Sequence, residues 1–173
     1  MVRRNGPSRR EGDVTRSFFR HLLGSIGALL LSAVPFALAE SPSPPTSSPA
    51  DVERVAVTGS SGSYLFRVTV RSPDRGCGQY ANWWEVVTDE GELVYRRVLK
   101  HSHTNEQPFT RSGGPVPVAA DQVVIVRAHM EPGGYGGTVY KGTAASGFRV
   151  ARLAEGFAAG LARKDPLPES CAH

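Results

Sequence analysis

Asn82-Trp83-Trp84-Glu85-Val86-Val87-Thr88, the turn Asp89-Glu90-Gly91 and the return run Glu92-Leu93-Val94-Tyr95-Arg96-Arg97-Val98-Leu99 form the clearest hairpin in the chain. Two runs rich in β-branched and aromatic residues flank a short loop containing glycine, the pattern of an antiparallel pair. Adjacent side chains of a strand point to opposite faces, so Trp83 and Trp84 cannot both enter the same core. Trp84 shares a face with Val86 and is assigned to the interior. Trp83 shares a face with Glu85 and is expected to point outward with it.

Alternation continues on both sides of this hairpin. Val52 to Thr58 places Val55 and Val57 on one face, and Gly59-Ser60-Ser61-Gly62 turns the chain. Tyr64, Phe66, Val68 and Val70 then alternate with Leu65, Arg67, Thr69 and Arg71, which predicts a strand with one buried and one wet face. Ser72-Pro73-Asp74-Arg75-Gly76 reads as a loop. His101 to Gly114 shows no periodicity and is expected to be a long surface loop. Gln122 to Met130 is strongly β-branched, Glu131 to Gly137 is a glycine-rich loop, and Thr138 to Lys141 is a short strand.

About seven short strands separated by turn signals, with no helix between them, predict an all-β antiparallel sandwich over residues 51–148. The segment Val116 to Ala128, in which Ala119-Ala120-Asp121 leads into Val124, Val126 and Ala128, resembles the penultimate strands of fibronectin type III and immunoglobulin-like domains. The central stretch also resembles those of small exported bacterial proteins of no assigned activity. Residues 149–173 differ. Val150, Leu153, Phe157 and Leu161 recur at helical spacing and predict an amphipathic helix over Arg149 to Lys164. An extended last strand from Gly147 to Leu153 competes with that reading, because Gly156 and Gly160 each weaken a helix by about 1 kcal/mol relative to alanine.

The N-terminus sets the expected location. Leu22 to Ala33 is an apolar run preceded by arginines and followed by Ala37-Leu38-Ala39, the pattern of a secretory signal peptide over residues 1–39. The run is shorter than the roughly 20 apolar residues of a membrane span, so no span is expected after cleavage, and no cysteine near the cut offers a lipid attachment point. The segment before the run is long. Thr15-Arg16-Ser17-Phe18-Phe19 resembles a twin-arginine export signal with Ser17 in place of the second arginine, and translation starting at Val14 is the simpler account. Residues 40–50 are Ser/Pro-rich and read as a linker. The product is expected in the periplasm or outside the cell.

Export changes the charge balance. The full chain is +4 at neutral pH, but six arginines and two acidic residues precede residue 40, which leaves 14 basic and 14 acidic residues. A neutral body has no cationic footprint for nucleic acid, and that partner class is set aside. Cys77 and Cys171 are the two cysteines, and in an oxidising compartment they are expected to form one disulfide joining the tail to the loop before the tryptophans.

The candidate site follows from alternation. With Val124, Val126 and Ala128 inside, Arg127 and His129 face the other way, and the strand carrying Trp83 is expected beside theirs. Trp83, Glu85, Arg127 and His129 then share one sheet face, with the loop carrying His101 and His103 nearby. This set predicts a non-enzymatic site for an extracytoplasmic ligand, either a protein or a carbohydrate stacked on Trp83. The competing structural reading makes Glu85 and Arg127 a cross-strand ion pair, with Trp83 covered by the C-terminal helix. An alternative ligand set for copper or zinc is His101, His103 and His129. It resembles the His and Met ligands of exported β-sandwich copper carriers, although Met130 should point inward opposite His129. No catalytic residues are assigned. Ser112 in Arg-Ser-Gly-Gly lacks the first glycine of a nucleophile elbow, Gly133 to Gly137 lacks the Lys-Ser/Thr of a phosphate loop, and Asp74 is one acid, too few for a calcium cage.

Overall fold

The computed structural model describes residues 48–172. The expected signal peptide and most of the linker lie outside the described residues, as does His173. Strand β1 (Asp51–Ser60) begins where the alternation begins and turns through Ser61-Gly62 into β2 (Ser63–Arg71). Gly62 has a φ of 80°, which this two-residue hairpin loop requires and most side chains would resist. Tyr64, Phe66, Val68 and Val70 are buried while Leu65 and Arg67 are exposed, as their period-2 spacing predicts.

The remaining strands are β3 (Tyr80–Thr88), β4 (Leu93–Val98), β5 (Phe109–Val116), β6 (Val124–Glu131), β7 (Val139–Thr143) and β8 (Gly147–Ala151). They form two antiparallel sheets, one in the order β1-β2-β5 and the other in the order β4-β3-β6-β7-β8. The chain crosses between sheets after β2, after β4 and after β5, and the result is an antiparallel β-sandwich. Phe66, Val68 and Val70 from β2, Phe109 from β5, Trp84 and Val86 from β3, and Val124, Val126 and Met130 from β6 meet between the sheets.

Two expectations about elements are corrected. The segment His101 to Gly114, expected to be loop throughout, contains most of β5, which pairs with β2 from Val70↔Phe109 to Tyr64↔Val116 across a bulge. Its composition hid it. Gly113 packs so close to the core that a Cβ there would sit 2.8 Å from Trp84 Cη2 and from Tyr95 Cε1. A side chain is excluded by packing, and the alternation is lost with it.

The second correction concerns the C-terminal helix over Arg149 to Lys164. Gly147–Ala151 is instead the edge strand β8, paired with β7 through Tyr140↔Val150 and Lys141↔Arg149. Beyond it the chain turns at Gly156 (φ 71°) and Ala158 (φ 47°), both left-handed conformations that an α-helix cannot contain. A single 3-10 turn, Ala159–Arg163, is all that becomes helical, and it presents Leu161 inward. Unpaired backbone at the edge of β7 found strand partners in 147–151, and this outweighed a helical spacing interrupted by two glycines.

Candidate functional site

Register places the central groups. Glu85 on β3 stands directly opposite Arg96 on β4 and directly opposite Arg127 on β6. Opposed residues of antiparallel strands share a face, so the three form a row Arg96-Glu85-Arg127 across the sheet, on the face away from the sandwich core. Arg96 Nε and Nη2 donate to Glu85 Oε2 at 2.8 and 2.6 Å, and Arg127 Nε donates to Glu85 Oε1 at 2.8 Å. All three side chains are at most 2% exposed.

Two guanidinium groups on one carboxylate leave a surplus positive charge in a desolvated place, and unpaired it would be costly. The C-terminal segment supplies the remaining acceptors. Arg127 Nη1 and Nη2 donate to the carbonyl oxygens of Phe157 (2.7 Å) and Ala158 (3.0 Å). Arg96 donates to the carbonyls of Leu161 (2.7 Å), Pro166 (3.1 Å) and Lys164. Five main-chain oxygens thereby satisfy two buried arginines.

Trp83 lies in this layer, and its expected outward exposure is corrected. It is 2% exposed, with His129 stacked on it at 3.8 Å between ring centroids and the Arg96 guanidinium carbon 4.3 Å from its centroid. The indoles do leave β3 on opposite faces, as alternation demands, but both faces of β3 are covered. All nine residues of the strand are buried. Outward from this face of the sheet therefore means under the tail. No aromatic surface is open on Trp83 for a sugar to stack upon.

His129, 6% exposed, is held by a hydrogen bond between Nδ1 and Asn82 Oδ1 at 2.8 Å. Its pKa is lowered to about 4, first by burial and then by the charges of Arg96 and Arg127. Tyr135, from the glycine-rich loop, closes the layer with its ring 3.6 Å from the Arg127 guanidinium carbon and 4.8 Å from His129. Burial, with the Glu85 charge beside it, pushes its hydroxyl up to about 12.

The other two histidines lie elsewhere. His103 is buried with its ring stacked on Phe109 at 3.8 Å, and both ring nitrogens are buried without a hydrogen-bond partner. Burial, followed by the charges of Arg111 and His101, lowers its pKa to about 4 against the opposing pull of Asp74 and Glu106. His101 is exposed, bridges to Ala172, and approaches the His103 ring at 4.6 Å. Asp74 fastens this corner, accepting from Ser72 Oγ (2.6 Å), Ala81 N (2.9 Å) and His103 N (2.7 Å).

Among the described residues, no group of three or more His, Cys, Asp or Glu side chains is placed to hold a metal. The alternative copper or zinc set of His101, His103 and His129 is therefore not assembled. His129 belongs to the Trp83 stack, whereas His103 is packed against β5 of the other sheet. Met130 is wholly buried in the core, as its alternation with His129 predicts.

Cys77 and Cys171 form a disulfide, 94 residues apart in sequence, that ties the end of the tail to the loop before β3. No described helix is long and apolar enough to cross a membrane. Arg96, Tyr135 and Asp74 were not singled out for this site from sequence. Alternation sets Arg96 on the face of β4 opposite to Tyr95 and Arg97, but the register that places it opposite Glu85 is a tertiary fact.

Comparison with known proteins adds one relative. The chain is 42% identical over 72 residues to a protein of Halomicrobium mukohataei described as "Putative lipoprotein". The match covers 42% of this chain and 35% of that protein, so the chain spans about a third of the relative's length. No family model and no solved structure matches.

Proposed function

We propose that the chain is an exported, non-enzymatic β-sandwich module of the cell envelope that binds a protein ligand, with the Trp83–Glu85–Arg127–His129 face as its recognition region. The observation that carries this reading is the use of that face to hold a peptide segment, through Arg96 and Arg127 on five carbonyl oxygens. Its polar groups are engaged in fixed contacts: Glu85 lies between two guanidiniums and His129 is bonded to Asn82. Such an arrangement suits recognition better than proton transfer. A protein ligand is favoured over a carbohydrate because the Trp83 ring is already occupied by His129 and Arg96, while the arginines of the face meet main-chain carbonyls.

Export is supported by the apolar run 22–33 with Ala37-Leu38-Ala39 behind it, by the disulfide, and by a relative described as a lipoprotein. The strand alternation and the crossings between sheets support the likeness to fibronectin type III and immunoglobulin-like domains. The test is fractionation of cells expressing the full chain, with intact mass of the recovered protein. A mature chain beginning at Glu40 in the envelope or the medium is the expected result. An uncleaved chain confined to the cytoplasm would overturn the reading.

A further inference from the structure

Segment 152–172 is attached to the sandwich in an unusual way. It adds no strand to either sheet. Among the described residues, its main-chain hydrogen bond to main chain of the body is Ala172 N to Lys100 O, and its other backbone bonds are turns within itself. One of its residues, Leu161, is buried. What holds it is the set of five carbonyls on Arg96 and Arg127, the Leu161 side chain, and the covalent link Cys77–Cys171 at its far end.

Its seams are open. A cavity of about 350 Å³ separates Leu167 and Pro168 from Trp83, His129, Tyr80 and Asn82. Another of about 870 Å³ lies between Gly133 to Thr138 and the start of the segment. A segment with one buried side chain and cavities on both borders is poorly packed compared with the core beneath it.

The face under the segment, in contrast, is preformed. Arg96, Glu85, Arg127, Trp83, His129 and Tyr135 are fixed to one another by ion pairs and ring contacts that do not involve the segment. The contacts made to the segment read mainly its main chain, with two apolar side chains, the buried Leu161 and Phe157 whose ring lies 5.9 Å from the Arg127 guanidinium carbon, so they make few demands on its particular sequence.

We propose that residues 152–171 are a latched cover seated on a peptide-binding face. When the Cys77–Cys171 bond is opened, a peptide of a partner protein takes the cover's place, presenting turn carbonyls to Arg96 and Arg127 around one leucine-sized anchor. The inference rests on the reading of this domain as a protein-binding module and names its ligand class and its control. Opening consumes two electrons and two protons from a dithiol donor, which leaves as its own disulfide while Cys77 and Cys171 become thiols. In the closed state the cover is tethered at both ends, by β8 and by the disulfide, with an effective concentration on the order of millimolar or more; opening leaves one tether and lowers it, so a free peptide competes better.

The test uses the full chain in three forms: oxidised, reduced with a dithiol, and carrying Cys171→Ser. The probe is a fluorescent synthetic peptide of residues 155–168 of this chain, which contains no cysteine. The expected result is at least tenfold tighter binding to both open forms than to the oxidised chain. Trp83 emission should shift to the red on opening and return when the peptide binds, with Trp83→Phe identifying the signal. Cys77→Ser must behave as Cys171→Ser does, which separates opening from damage at one site. Equal binding to open and oxidised chains overturns the proposal, as does an open chain that keeps its Trp83 emission and ignores the peptide. An oxidised chain that binds the peptide as tightly as the open forms removes the latch and leaves the protein-binding reading standing, whereas open chains that ignore the peptide remove that reading as well.

Discussion

Glu85 and Arg127 stand directly opposite each other on β3 and β6 and share a buried ion pair of 2.8 Å. Glu85 is the one carboxylate between two guanidiniums, so removing its charge strands both. Glu85→Gln is expected to cost about 3–5 kcal/mol of unfolding free energy, the range for breaking a buried pair. Lys141→Ala breaks an exposed pair with Asp89 and should cost under about 1 kcal/mol. Urea denaturation of the two variants checks the contrast, and similar costs would contradict the assignment of the buried row.

Much of this arrangement was legible in the sequence. The alternation Tyr64 to Arg71, the turn Asp89-Glu90-Gly91, the inward Trp84 and Met130, the Cys77–Cys171 pairing and the adjacency of Glu85 and Arg127 all follow from local period or simple pairing. What covers Trp83 did not follow. The competing sequence reading predicts both the ion pair and a covered Trp83, but with a helix over it. Burial of both faces of β3 depends on a tail 70 or more residues away in sequence, and no strand pattern reports that. Arg127 and His129 look like surface residues by alternation because a period of two identifies a face without saying whether that face is wet.

Stability should depend on pH through two histidines. His103 and His129 both have folded pKa values near 4, against about 6.5 in an unfolded chain. Between these values the unfolded chain binds more protons, so stability rises with pH across that window. It is fully present above about pH 6.5 and falls as the pH drops toward 4. Unfolding at pH 7.5 and pH 5.0 should show the loss, and His103→Phe, which keeps a ring against Phe109, should make the slope shallower. An unchanged slope in that variant would remove His103 from the account.

Gly113 is a packing requirement of the sandwich. A methyl group there meets Trp84 and Tyr95 at 2.8 Å, so Gly113→Ala should cost about 1–3 kcal/mol through overpacking. Gly78 has nothing within 4 Å of the corresponding position, and Gly78→Ala should leave the unfolding free energy within about 0.5 kcal/mol of the parent, the range of ordinary surface changes. Thermal or urea unfolding of the pair distinguishes a tight β5 from a loose one.

The central claim is that the face bearing Trp83 is closed by the protein's own C-terminal segment. Proton exchange at the two indole N–H groups, followed by NMR in the oxidised chain and assigned with Trp83→Phe, tests it most directly. Both nitrogens are buried, so both resonances should persist for hours in deuterated buffer. A Trp83 signal that vanishes within the dead time, while that of Trp84 remains, would show an open face and contradict the account.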